Sequence, residues 1–348
     1  MSTTTEFTND EKQALNEKNS IIHLVCLPAA AAGILCLAIR WPMDNWAVQC
    51  FWTVFTGYFL FCWTSCFHET AHQTLCQSRR VSIWLGRFLG TAMFTPYTVY
   101  RESHIRHHAY LNKPTDWELW PYSDPSTSIA FRRWFVWFDL VFGMFTSPAI
   151  YGRLFFHKNS PLTSPKTRLA IRNEYFGIVA VWGLIITLLF YYEAWPAFFR
   201  VWGIPHFLAG IFQSSRKLTE HLGMASYDPM LGTRTVLGST WFTRFCTFAN
   251  FDIFIHGPHH RHPRLAHNAL GEQMEQYISE HPEVDFPRYS TYLGAMWAML
   301  PAMFKVPGVG MNAGAAPPKV AKNEGVDDFV RDVTSEVLAD EDAELSAV

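Results

Sequence analysis

WAVQCFWTVFTGYFLFCWTSCFHETAH, residues 46–72, is an apolar run, Trp46–Phe67, that ends directly in His68 and His72. About 20 mostly apolar residues suffice to cross a bilayer core, so the run predicts a membrane-spanning helix. Residues four apart share one helix face, so HETAH offers two imidazoles to a single point. Two more clusters lie further along the chain, each near a long apolar stretch. They are His104, His107 and His108 in HIRHH, and His256, His259 and His260 in HGPHH. His221, in TEH, follows another apolar stretch. Nine of the 15 histidines are thus accounted for.

One HxxxH pair is unremarkable, because polar i,i+4 pairs are common on helix surfaces. Three clusters set among apolar runs point instead to metal. HxxHH combines an i/i+3 with an i/i+4 pair, enough to hold one ion and lean toward a second. A structural zinc takes about four ligands, so nine imidazoles suit two ions. No cysteine pattern accompanies the clusters, which disfavours thiolate zinc and iron–sulfur sites. Spacing alone leaves Fe, Zn, Mn and Cu open. Gly257 and Pro258 fall inside the third cluster and Pro263 follows it, predicting a helix that starts near Pro258 or lasts only one turn.

The chain has 348 residues, 49% of them hydrophobic, gathered largely into four runs: Ile21–Trp41, Trp46–Phe67, Tyr175–Tyr192 and Trp195–Ser214. Short links join them pairwise. The predicted fold is an all-α membrane protein, with four transmembrane helices in two hairpins and a cytoplasmic helical cap that carries the histidine clusters. Of 28 Lys and Arg, only Arg40 and Arg200 fall near the hairpin tips. The rest lie on the side of the histidines, which the positive-inside rule makes cytoplasmic. Ile83–Tyr100 and Trp134–Tyr151 are also apolar. Gly86, Gly90 and Pro96 in the first, and Arg132, Arg133 and Asp139 around the second, favour helices lying in the membrane interface.

Seven cysteines, an odd number mostly inside apolar runs, argue against a disulfide framework and for a reducing compartment. Residues 1–20 are polar and are expected to form a tail rather than a cleaved signal. Residues 21–306 read as the membrane domain. Residues 307–348, ending in an acidic run, read as a solvated, disordered tail. A net charge of −2 gives no nucleic-acid footprint.

HETAH, HIRHH and HGPHH, in this order around two hairpins, resemble the three histidine boxes of the membrane fatty acid desaturase superfamily. That superfamily includes acyl-lipid and acyl-CoA desaturases, carotenoid ketolases and hydroxylases, and alkane hydroxylases. The resemblance covers roughly residues 20–290. It implies a non-haem di-iron centre, two Fe ions with O₂ as co-substrate. The implied ligands are His68, His72, His104, His107, His108, His256, His259 and His260, with His221 matching the extra histidine that follows the fourth span. HHAYLNKPTDWE resembles the stretch after the second box and places Asn112 and Asp116 in support. Glu69, Asp116 and Glu220 are the carboxylates expected to orient imidazoles, and Asn250 precedes the third box.

The chain departs from the pattern in places. Glu69 stands where many members carry Asp, and His256 stands where front-end desaturases carry Gln. No haem-binding HPGG segment occurs, so electrons are expected from a separate donor, a ferredoxin or cytochrome b5. The implied activity is oxidation of an unactivated C–H bond in a lipid chain. Desaturation of an acyl chain leads, with hydroxylation or ketolation of a lipid, carotenoid or alkane as the alternative. A metal transporter is disfavoured, since it would hold its ligands near the bilayer midplane.

Overall fold

The computed structural model describes residues 45–75 and 78–318, with six isolated helical positions before them: Pro28, Ala31, Ala32, Ile34, Leu35 and Ala38. The first predicted span, Ile21–Trp41, therefore lies largely outside the described residues, and residues 1–20 and 319–348 lie wholly outside them.

Helix α1, Trp46–His72, starts where the Asn45 side chain accepts the Ala47 N–H at 2.9 Å, satisfying an otherwise unpaired first-turn donor. It ends at Gln73, whose φ of 58° breaks the helix. Its 27 residues span about 40 Å, against a hydrocarbon core of about 30 Å. Its early side chains, Trp46, Phe51 and Val54, are exposed, whereas burial is nearly continuous from Leu60 to Ala71. The last turn carries His68 and His72 into the protein.

A break separates α2, Arg79–Ala92, from α3, Tyr97–Ala109, and Phe142 separates α4, Ile129–Val141, from α5, Gly143–Phe156. Neither Ile83–Tyr100 nor Trp134–Tyr151 is thus one continuous helix. Val81, Trp84 and Phe88 of α2, and Trp134, Trp137 and Phe138 of α4, remain exposed, as helices lying in a membrane interface require. Asp139 is not an interfacial charge, however. It is fully buried and accepts hydrogen bonds from Tyr122 Oη, Thr146 Oγ1 and Lys217 Nζ. It therefore locks α4 to α5 and to the helix that carries Lys217.

Helix α6, Pro165–Tyr191, is capped by Ser164, with Pro165 in its first turn, where the missing N–H costs nothing. Only Thr167, Ile171 and Ile178 are buried along it. Phe176, Val179, Leu184, Leu188 and Phe190 point outward. An apolar helix exposed on most of its surface is unsuited to water and suited to lipid. Among the described residues, α1 and α6 are the two helices long and apolar enough to cross a membrane.

The fourth run forms α7, Trp195–Phe198, a π-helical turn, Phe199–Gly203, and α8, Ile204–His221, in unbroken succession. Helix α8 packs along α1. A Cβ on Gly57 would stand 2.9 Å from Leu208 Cβ and 3.0 Å from the Pro205 carbonyl, so only glycine permits this approach. Thr64 donates to Gln213 Oε1 at 2.7 Å, and Arg216 donates to Ser65 Oγ at 3.2 Å. Helix α6 is held elsewhere, through Glu174 to Arg87 and Thr98 and through Trp182 Nε1 to the Thr91 carbonyl.

The remainder is a cap of short elements: α9, Pro229–Gly232; α10, Trp241–Ala249; α11, His256–Arg261; α12, Leu270–Glu280; and α13, Tyr292–Phe304. Strands β1, Thr235–Val236, and β2, Arg288–Tyr289, pair in parallel. Residues 307–316 pack on this body. Val309 N–H donates to the Tyr122 carbonyl, Asn312 Nδ2 to the Tyr122 and Asp124 carbonyls, and Tyr227 Oη to the Ala316 carbonyl.

Candidate metal centre

The eight histidines singled out by spacing converge, and His221 joins them. His68 and His72 from α1, His104 and His108 from α3, and His259 from α11 form one group. His107 from α3, with His221 from α8 and His260 from α11, forms a second, which His256 and Glu220 join through His221. Within each set one candidate ligand atom per residue lies within 4.8 Å of the others. The His108 and His260 rings stack at 4.1 Å between the two groups.

Helical periodicity explains the division. In HIRHH, His104 and His108 are i/i+4 and face the first group, while His107 is turned about 100° from His108 toward the second. HGPHH does the reverse. Its i/i+4 pair, His256 and His260, serves the second group and His259 the first. Helix α11 begins at His256, with Pro258 in its first turn, where no intrahelical bond is lost. The short helix therefore keeps all three rings in register.

Fixed partners set the ring orientations. His68 Nδ1 meets Glu69 at 3.0 Å, His104 Nδ1 meets Glu118 at 3.1 Å, and His107 Nδ1 meets Asp116 at 2.8 Å. His256 Nδ1 meets the Ile253 carbonyl at 3.1 Å. Ionised carboxylates and carbonyls only accept, so where these carboxylates are ionised the Nδ1 atoms carry the protons and the Nε2 atoms present lone pairs inward.

Those lone pairs crowd together. His104 Nε2 lies 3.0 Å from His72 Nε2 and 3.2 Å from His108 Nε2. His256 Nε2 lies 2.9 Å from His221 Nε2, 3.1 Å from His260 Nε2 and 3.5 Å from Glu220 Oε2. His68 Nε2 and His259 Nε2 are buried without a hydrogen-bond partner. Ligands bonded at about 2.0–2.1 Å around one ion are about 3.0–3.4 Å apart when adjacent. The observed separations suit a cation in each group and are costly without one. The donor set is imidazole-dominated with one carboxylate nearby, chemistry that suits Fe, Zn or Cu and offers no thiolate.

Burial first, then neighbouring imidazoles and Arg216, hold His256 and His259 well below the ordinary imidazole pKa. His108 and His260 are depressed by burial and by the rings around them. Neutral imidazole is the form that binds metal. Burial opposes charge on His107 as well, but Asp116 outweighs it and raises that pKa. Glu118 is likewise pulled below the usual carboxylate value, because His104 more than offsets its burial.

Glu69, Asp116 and Glu220 stand beside the rings, as expected. Asn112 does not reach them. It sits at φ 58°, donates to the Ser226 and Gly232 carbonyls, and offers its own N–H to Asp116. Asn250 accepts from Ser65 Oγ and donates to the Cys246 carbonyl. Glu118 was not singled out from the sequence, although it closes the quoted stretch HHAYLNKPTDWE and repeats the role of Asp116 two residues on. The Asp252–His267 pair, 2.8 Å apart, carries no spacing signal that could have found it.

A cavity of about 40 Å³ adjoins the histidines, lined by Tyr100, Leu119, Ile150, Tyr151 and Ile253 together with Glu118, Arg216 and Glu220. One water needs about 10–15 Å³ by such a measure, so the space admits a small group and not a head group.

Residues 44–292 match the fatty acid desaturase family model, and the chain belongs to that family. A stretch of 101 residues is 26% identical to the omega-3 fatty acid desaturase fat-1 of Caenorhabditis elegans. That match covers 26% of this chain and 25% of the relative, so the aligned part spans only a quarter of the relative's length.

Proposed function

We propose that this chain is a membrane-bound, di-iron, O₂-dependent desaturase that introduces a double bond into a fatty acyl chain. The observation that carries this reading is the convergence of nine imidazoles into two adjacent groups with their Nε2 lone pairs directed inward. His68, His72, His104, His108 and His259 would hold one iron, and His107, His221, His256 and His260 the other. The irons, once bound, supply the O₂ activation needed to break unactivated C–H bonds. The net change is –CH₂–CH₂– plus O₂, two electrons and two protons, giving –CH=CH– and two waters. The electrons come from a separate donor, a ferredoxin or cytochrome b5.

The side chains around the rings have simpler tasks. Glu69, Glu118 and Asp116 hold the Nδ1 protons of His68, His104 and His107, fixing tautomer and ring angle. Leu119, Ile150 and Ile253 give the small cavity an apolar side for methylenes, and its size keeps bulk water out. In the membrane we place four spans in two hairpins, with the basic, histidine-bearing side cytoplasmic.

The test is a lipid profile of cells that express the chain with iron and an electron donor, set beside His104→Ala. A new double bond that vanishes in the variant supports the reading. A histidine-dependent hydroxyl or keto group moves the chain to the oxygenase alternative. Unchanged lipids in every arm refute an action on acyl chains of that host.

A further inference from the structure

Away from the histidines, a second cavity of about 370 Å³ lies between the α2–α3 turn, the start of α5 and the π-helical turn ahead of α8. Small-molecule sites commonly measure about 300–1,000 Å³. Phe94, Phe145, Phe199, Trp202 and Phe207 form much of its wall, and no Asp, Glu, Lys or Arg lines it. Phe145, Phe199 and Ile204 at its rim are exposed, so it opens on an apolar surface. π-Helical turns occur frequently at functional sites, and this one supplies Phe199, Trp202 and Gly203 to the wall.

His206 is the exception in this apolar wall. It is 7% exposed. Its ring stacks on Trp202 at 5.1 Å and meets the edge of Phe94 at 6.3 Å. Among the described residues, no hydrogen bond or ion pair reaches its nitrogens. The ring lines the cavity, whose apolar walls give its nitrogens no partner, and a ligand there would supply one. The cavity is also separate from the one beside the histidines. Between them α5 and α8 close on each other, since a Cβ on Gly210 would stand 2.6 Å from the Met144 backbone nitrogen, and one on Gly143 would meet Ser214.

We propose that this groove is a binding site for a neutral lipid, an apolar chain bearing one hydroxyl group, with the hydroxyl hydrogen-bonded to His206. The lack of charged lining residues selects a neutral ligand. The aromatic walls select an apolar body. A hydroxyl can donate and accept, so it answers either tautomer of a neutral imidazole. The site stands independently of the desaturase reading, because neither its residues nor its test involves the metals.

The experiment uses the full chain reconstituted in lipid nanodiscs. One photoprobe is a long-chain primary alcohol with a diazirine near its methyl end. The other is the alkane of the same length with the same diazirine. Labelled peptides are mapped by mass spectrometry. The alcohol should label the segment 198–207 at concentrations about five- to tenfold below the alkane, the worth of one buried hydrogen bond. His206→Phe should abolish that preference, and His206→Gln, which keeps a hydrogen-bonding group, should retain part of it. Circular dichroism of each variant reports that the fold is intact. Equal labelling by the two probes, a preference that survives in His206→Phe, or no labelling of the segment overturns the proposal.

Discussion

Glu118 supplies the most decisive test of how the protein holds its metals. Its two oxygens lie 3.1 and 3.2 Å from His104 Nδ1, and Oε1 also accepts from Tyr151 Oη at 3.3 Å. The carboxylate is nearly buried, at 13% side-chain exposure, so water cannot readily replace it. Removing the partner of a ligating imidazole commonly costs 10–100-fold in metal affinity, or about 1.4–2.8 kcal/mol. A buried hydrogen bond to a charged group is worth about 1.5–3 kcal/mol, which gives the same range independently. Glu118→Ala should therefore weaken the ion in the five-histidine group 10–100-fold and spare the other. Glu118→Gln keeps an acceptor but loses the charge. Charge-assisted bonds are about twice as strong as neutral ones, so its loss should be roughly three- to tenfold. Tyr151→Phe leaves the carboxylate in place and should change affinity less than about threefold. The assay is equilibrium dialysis of the iron-loaded protein against graded chelator, with iron counted per chain by mass spectrometry and folding followed by circular dichroism. A folded Glu118→Ala protein that holds both ions at wild-type affinity would refute the role of Glu118. Equal loss of both ions would refute the assignment of His104 to one group.

Three further outcomes are expected. His68→Ala should lower bound iron from about two ions to about one per chain, because His68 belongs to the five-histidine group alone; elemental analysis measures this. Chelation of all metal should lower the melting temperature and iron(II) should restore it, since a ligand that binds only the folded state stabilises that state and the facing Nε2 atoms otherwise repel; scanning calorimetry decides. Asn112→Ala should destabilise by about 2–4 kcal/mol, because it strands the Ser226 and Gly232 carbonyls and places alanine in the left-handed region. Thermal unfolding of the two proteins side by side is the check, and an unchanged midpoint would show that neither carbonyl depends on Asn112.

What could be read from the sequence was what lies within a turn or two of helix. His104 and His108 are four residues apart, and their shared face follows from helix geometry alone. Glu118 is 14 residues from His104, and the chain returns through a loop that turns at Asn112, φ 58°; residue spacing carries no trace of that. Asp139 read as an interfacial charge because its neighbours in sequence are aromatic. The partner that neutralises it, Lys217, is 78 residues away at 2.7 Å. Hydropathy likewise marks runs long enough to cross a bilayer without saying which helices pack together. Helix α8 lies along α1, where Gly57 lets the backbones approach, and small residues at such contacts are the usual determinant of helix pairing.

The sharing of boxes between the two groups has a consequence for folding. No box contains a complete site. HIRHH gives two rings to one group and one to the other, and HGPHH reverses the ratio. The first group cannot form until α1, α3 and α11 meet, and the second cannot form until α3, α8 and α11 meet. Helix α11 is only six residues long, too short to persist alone, so its register depends on these neighbours and on the Thr235 hydroxyl that accepts the Gly257 N–H at 2.9 Å. Metal binding and docking of α11 should thus be one cooperative event. If so, amides of residues 255–261 gain hydrogen-exchange protection on iron addition while those of the α1 interior, already packed on α8, do not. Protection in 255–261 that is the same with and without iron would show that the cap is assembled in advance and that the metals occupy a finished site.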